Sequence, residues 1–297
     1  MSNVAAQAPS QATVVAHAIQ EISHIATLPE ITLRIVELVE SPTSTAQELH
    51  SVISHDPALC SRILKVVNSA FYGLPGQIAS IDRAIVLLGL NAVKNIAVAA
   101  SLVKLFRGGE MGPHFAARDL WVHSVGTASA AKIITDRLGL GFPDEAFLGG
   151  LIHDIGVMVE LQFDRQKLLT VIEKLAPGPD GVPRADMLAV ESEVFGANHQ
   201  QFGEGLCRKW KFPISLANIT GNHHSPLDLP PEARTMACVV HVADRLAGEI
   251  KPGFRLDLKS TEISDNVLAE LRLSRERLEE IRSGLPEMLA EVKRLLG

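Results

Sequence analysis

Residues 145–163, EAFLGGLIHDIGVMVELQF, form an apolar run with a histidine and an aspartate side by side at its middle, a pairing that constrains the fold more than any other feature. Moving a carboxylate out of water costs several kcal/mol or more unless it is paired or coordinates a metal. A fold that buries this run must bring compensating partners to His153 and Asp154. A metal is the leading candidate, because the chain offers further nitrogen and carboxylate donors in His123, His199, the adjacent His223 and His224, and Asp244. Gly149 and Gly150 stand one turn before His153. Glycine inside a helix costs about 1 kcal/mol relative to alanine, so this pair predicts close backbone approach beside the His-Asp site.

The interior must be built from aliphatic side chains, since hydrophobic residues make up 46% of the chain and aromatics only 4%. That composition points to closely packed helices, an all-α globule, and 297 residues suit one large domain or two lobes sharing a core. A net charge of -6 gives no global basic field, which argues against general nucleic-acid binding. Cys60, Cys207 and Cys238 are few and odd in number, unlike a disulfide framework, and fit a reducing cytoplasm. The start of the chain lacks a signal-peptide pattern, and no segment supplies about 18 uninterrupted apolar residues for a membrane span.

Along the chain, residues 1–12 read as an uncharged, disordered leader. Residues 13–107 form a helical N-terminal lobe, 114–250 a second lobe carrying the histidines, and 251–297 a charged helical tail. Thr45 and Glu48 match a capping box. Asp56 precedes Pro57 and reads as a helix cap, which makes the second His-Asp pair, His55 and Asp56, a decoy. Ser80 caps the segment IDRAIVLLGL, and the three glycines and proline of residues 107–113 mark the hinge between lobes. Helices are predicted from about 115 to 138, from 144, with Asp144 as cap, to 163, over 185–195, 198–210 and 213–223, and from Pro231 towards Glu249. No strand, phosphate loop or paired-cysteine motif emerges.

Neighbouring helical residues diverge by about 100°, so His153 and Asp154 serve one site only if it lies between their directions. His123, His153, Asp154 and Asp244 make a shell for a first ion. His199, His223 and His224 make a second, with Asp154 bridging through its two oxygens. Two ions about 3.5–4 Å apart polarise a phosphate and activate water together. Asp119, one turn before His123, reads as an extra ligand or a supporting partner. Taken singly, a histidine such as His123 is more often a hydrogen-bonded core or surface residue than a ligand. His17, His24, His50, His55, His114 and His241 have surface or structural readings, with His241 placed to orient Asp244.

The segments LPEITLRIVELVES, ISHDPALCSRILKVVNSAFYGLPGQIASIDRAIVLLGLNAVKNIAV, LWVHSVGTA and AFLGGLIHDIGVMVEL occur in an order that resembles the HDOD domain of the HD superfamily, over roughly residues 20–250. The resemblance implies an all-α HD-type bundle in bacterial signalling or regulation. His123, His153, Asp154, His199, His223, His224 and Asp244 match the fuller metal set of the related HD-GYP phosphodiesterases. Two departures oppose cyclic-dinucleotide hydrolysis. Val157 and Met158 follow the HDIG motif where those enzymes place a phosphate-binding lysine, and HHSPLDLPPEA replaces the Gly-Tyr-Pro motif, with Tyr72 the only tyrosine. The expected function is a cytoplasmic signalling module with a retained binuclear centre, protein partners, a phosphate-containing small ligand and no membrane. The alternative is a metal-dependent phosphohydrolase or phosphodiesterase with His153 and Asp154 catalytic, and the third is a di-iron oxygenase. Iron, manganese and zinc all suit imidazole and carboxylate donors, iron foremost.

Overall fold

The computed structural model describes residues 10–22, 29–68, 72, 74, 76–106, 114–250 and 254–296, and the described residues hold helices and no β-strand. The expected leader up to residue 9, His24 and the hinge at 107–113 lie outside them, while residues 11 and 12, also expected in the leader, open α1 behind a Ser10 cap. The first half comprises α1 (Gln11–Glu21), α2 (Glu30–Glu40), α3 (Ala46–Ser54), α4 (Pro57–Val67), α5 (Ile81–Leu88) and α6 (Leu90–Leu102). The second comprises α7 (Ala117–Leu138), α8 (Pro143–Ile152), α9 (Ile155–Phe163), α10 (Arg165–Leu175), α11 (Met187–Phe195), α12 (His199–Lys209), α13 (Ile214–Asn222) and α14 (Pro231–Gly248). The tail adds α15 (Asp265–Glu270) and α16 (Arg275–Leu296).

Local chemistry sets the helix starts. Thr45 accepts from the Glu48 amide while Glu48 accepts from the Thr45 amide at 2.8 Å, closing the capping box that meets two free N–H groups of α3. The Asp56 carboxylate accepts from the Leu59 amide at 2.9 Å with Pro57 at the first helical position, so the decoy pair is a cap. Ser80 caps α5 through the Arg83 amide. Two expectations shift. Phe142 rather than Asp144 occupies the cap position of α8, because Pro143 already fits the first turn, and Asp144 pairs with Lys132 at 3.1 Å. A helix not among those expected, α10, follows Asp164, whose carboxylate caps it through the Gln166 and Lys167 amides.

One continuous apolar core runs through both halves. Within it α7 packs on α8 and α14, α9 on α12, and α12 on α13, while α6 joins the first half to α8. The first helix, α1, packs on α9 and α12 of the second half. The stretch Pro143–Phe163 is the one segment among the described residues long and apolar enough to cross a membrane, and 83% of its apolar window is buried inside the protein.

Candidate metal centre

The stretch expected to be one helix over 144–163 breaks at the His-Asp pair. His153 keeps helical angles (φ −53°, ψ −39°), whereas Asp154 turns to φ −98°, ψ 14° and opens α9. An unbroken helix would point the two side chains about 100° apart. The break turns both towards one centre, with His153 Nε2 3.2 Å from Asp154 Oδ2. Close backbone contact fixes the break on either side. A Cβ on Gly150 would lie 2.8 Å from the Ala128 backbone of α7, and one on Gly156 would lie 1.8 Å from the His199 carbonyl oxygen. Of the two glycines before His153, Gly150 meets the expected close backbone approach, whereas Gly149 faces the side chains of Ile219, Val240 and Leu216; the tightest backbone contact, at Gly156, follows the pair.

All seven expected donors meet there. His123 Nε2, from the middle of α7, lies 3.0 Å from Asp244 Oδ1 and 3.7 Å from Asp154 Oδ2. His153 Nε2 is 3.6 Å from Asp244 Oδ1. On the other side, His223 Nε2 lies 3.3 Å and His199 Nε2 3.8 Å from Asp154 Oδ1. The His199 and His224 Nε2 atoms are 3.1 Å apart. Asp154 therefore presents one oxygen to each of two imidazole groups. The side chains of His123, His153, Asp154, His199, His223 and Asp244 are 0% exposed and that of His224 is 10% exposed.

Hydrogen bonds select the tautomers. His153 Nδ1–H donates to the Gly150 carbonyl at 2.7 Å, His223 Nδ1–H to the Thr220 carbonyl at 3.2 Å, and His199 Nδ1–H to Glu191 at 2.8 Å. Each ring then turns an Nε2 lone pair inward against carboxylate oxygens. His153 Nε2, His223 Nε2, both oxygens of Asp154 and Asp244 Oδ2 have no hydrogen-bond partner. Buried acceptors facing one another without a donor repel, and leaving such groups unsatisfied is costly. A cation at their centre removes the repulsion, so the donor set fits a metal. His123 differs, since its Nδ1 has no partner.

Without a cation, the same carboxylates draw protons onto the imidazoles that face them. Burial opposes charging of His153, but Asp154 and Asp244 outweigh it and hold its pKa well above the ordinary value. Burial would raise Asp154, yet His153 and His223 hold it well below the usual carboxylate range. Burial also opposes charging of His199, and Glu191 overcomes it, raising the pKa to about 9. His224 is lowered, first by burial and then by His223 and His199.

Three buried acids escaped the sequence reading. Glu191 on α11 accepts from both the His199 amide at 3.0 Å and the His199 ring. It thereby satisfies a free N–H at the start of α12 and orients the imidazole. Glu160 on α9 lies behind it, and burial together with Glu191 holds its pKa well above the carboxylate range. Asp257, beyond α14, has a side chain that is 0% exposed. Burial, followed by Asp154 and Asp244, pushes its pKa up to about 8. Asp119 is not among the converging donors and contributes its backbone carbonyl, which accepts from the Phe254 amide at 3.2 Å. His241 supports rather than ligates, its Nδ1–H donating to the His223 carbonyl at 2.7 Å.

Among known proteins, the HDOD domain matches residues 25–226. An uncharacterised protein of Treponema pallidum (strain Nichols) is 24% identical over 237 residues, 79% of this chain, and the chain spans 44% of that protein's length. An HDOD domain protein of unknown function from Geobacter sulfurreducens shares the fold with a TM-score of 0.70 at 24% identity, covering 94% of this chain and 98% of the other. A candidate phosphohydrolase from Shewanella amazonensis SB2B gives 0.73 at 22% identity, covering 96% and 98%. A candidate signal transduction protein from Marinobacter aquaeolei VT8 gives 0.76 at 22%, covering 99% and 67%. With its all-helical architecture and a family match over more than half its length, the chain belongs to the HDOD domain family.

Proposed function

We propose that this chain is a cytoplasmic bacterial signalling module of the HDOD type, whose second half holds a binuclear metal centre that stabilises the fold or senses a small ligand. The observation that carries the reading is the meeting of seven donors at one place, where His153, Asp154, His223 and Asp244 turn buried atoms inward without hydrogen-bond partners. His123, His153, Asp154 and Asp244 would hold one ion, and His199, His223 and His224 the other, with Asp154 shared. Iron is the first choice, and manganese and zinc suit the same donors.

Burial favours regulation over turnover. Six of the seven donor side chains are sealed from solvent, and Val157 and Met158, where a phosphate-binding lysine would stand, are fully buried apolar residues. A phosphodiester thus meets neither an open donor nor a cation at that position. Protein partners would read the state of the centre through the helices that carry its ligands, α7, α12, α13 and α14.

The second reading, a metal-dependent phosphohydrolase or phosphodiesterase, is favoured by the division of the Asp154 oxygens between two imidazole groups. Bound metal ions supply Lewis-acid polarisation of a phosphate ester and activation of water. In that case Asp154 and His153 would hold the ions that carry the reacting groups. Turnover of generic and cyclic phosphodiesters by metal-loaded protein separates the two. The regulatory reading expects retained metal and no hydrolysis. Hydrolysis that disappears in His153→Ala would establish the phosphohydrolase instead.

A further inference from the structure

Past α14 the chain runs back over the centre. The Phe254 amide donates to the Asp119 carbonyl of α7, and the Phe254 ring meets those of His123 and Phe115 edge-on, at 6.1 and 6.0 Å between centroids. Leu256 and Leu258 are buried, and Leu258 packs so close to Gly248 that a Cβ there would lie 2.6 Å from its methyl group. These anchors hold Asp257 against the metal-ligand cluster. Its carboxylate has no exposed surface, and neither oxygen has a hydrogen-bond partner.

The surroundings of that carboxylate are other donors. Asp257 Oδ2 lies 3.8 Å from His224 Nε2, on the side of the second imidazole group. Asp257, His123 and Asp244 also bring ligand atoms within 4.8 Å of one another, on the side of the first. A carboxylate withdrawn from water without a hydrogen bond costs several kcal/mol. Nothing in the apolar anchoring of Phe254, Leu256 and Leu258 requires an acid at this position.

We propose that Asp257 is an eighth protein ligand of the centre, spanning its two halves from a segment that lies outside the matched family region. The assignment rests on the metal-centre reading above and extends it. With Asp257 in place each half of the centre would carry one more protein group, against which an incoming oxyanion must compete. Structural metal sites are closed by protein ligands, whereas catalytic sites keep a position open.

The test is titration of metal-free full-length chain with Mn2+ alone, followed by loss of the free-ion electron paramagnetic resonance signal. In Asp257→Asn the Mn2+ affinity of the centre is expected to fall by about tenfold or more. Metal-free Asp257→Asn should melt no lower than metal-free wild type, because it loses a buried acid that lacks partners. Asp257→Ala gives the same comparison should the amide not be accommodated, and Asp257→Glu, which keeps a carboxylate, should recover part of the lost affinity. Equal Mn2+ binding by wild type and both removal variants overturns the role of Asp257 alone. A wild-type chain that takes up no Mn2+ overturns the metal centre and this assignment together.

Discussion

The central imidazoles are aimed by residues that touch no other donor of the centre, and the clearest of these is Glu191. Replacing it by glutamine removes the charged acceptor of the His199 ring while keeping the shape, and metal affinity should fall about 10–100-fold. Glu193→Gln on the same helix, where Glu193 pairs with Lys174 at the surface, should leave it unchanged. Competition with a chelator measures both. His241 makes a prediction about pH. Burial, with Arg245 beside it, lowers its pKa from 6.5 to about 4. Because the folded value lies below the unfolded one, its contribution to stability is complete above pH 6.5 and is lost as pH falls through 4. This loss is on the order of 3 kcal/mol. Urea unfolding of His241→Asn across that window should show a shallower acid loss than wild type, and identical slopes would refute it. At this scale the sequence was legible where an expensive pair stood in an apolar run. Glu191 in MLAVESEVF and Asp257 in FRLDLK stand among ordinary neighbours, and only the approach of α12 and the return of the tail segment bury them.

At the scale of elements, the centre depends on a helix that stops for two residues. Both flanks of the His-Asp pair are helix-forming, so the sequence shows one helix from 144 to 163. The interruption follows from tertiary demand, since both side chains must reach the same donors. Gly156 is where that demand is most exacting. Gly156→Ala should cost about 3 kcal/mol or more, because the new methyl meets the fixed backbone of His199 rather than a side chain that can move. Gly284→Ala in α16, with nothing within 4 Å of its Cβ, should instead stabilise by roughly 0.5–1 kcal/mol. Chemical denaturation of the two variants checks the contrast, and equal effects would contradict it. Caps were legible at Thr45, Asp56 and Ser80, each of which acts on the amide three residues on, but not at α8, where Pro143 shifts the start, or at Asp164. Thr45→Ala should cost about 1 kcal/mol in the same assay.

Across the whole molecule, ligands come from α7, the α8–α9 break, α12, α13 and α14, helices that pack on one another but lie up to 121 residues apart in the chain. A cofactor bound by all of them ties the second half together, and binding to the native state adds directly to its stability. The all-α class was legible from composition and periodicity. The packing of α1 on α9 and α12 was not, since an amphipathic helix does not announce which surface it covers. Elemental analysis of protein purified without added metal, run beside Asp154→Ala and with melting temperatures for both, tests the central claim most directly. About two transition-metal ions per chain, lost together with thermal stability in the variant, is the expected result. A metal-free wild type that gains no stability from added iron, manganese or zinc would contradict it.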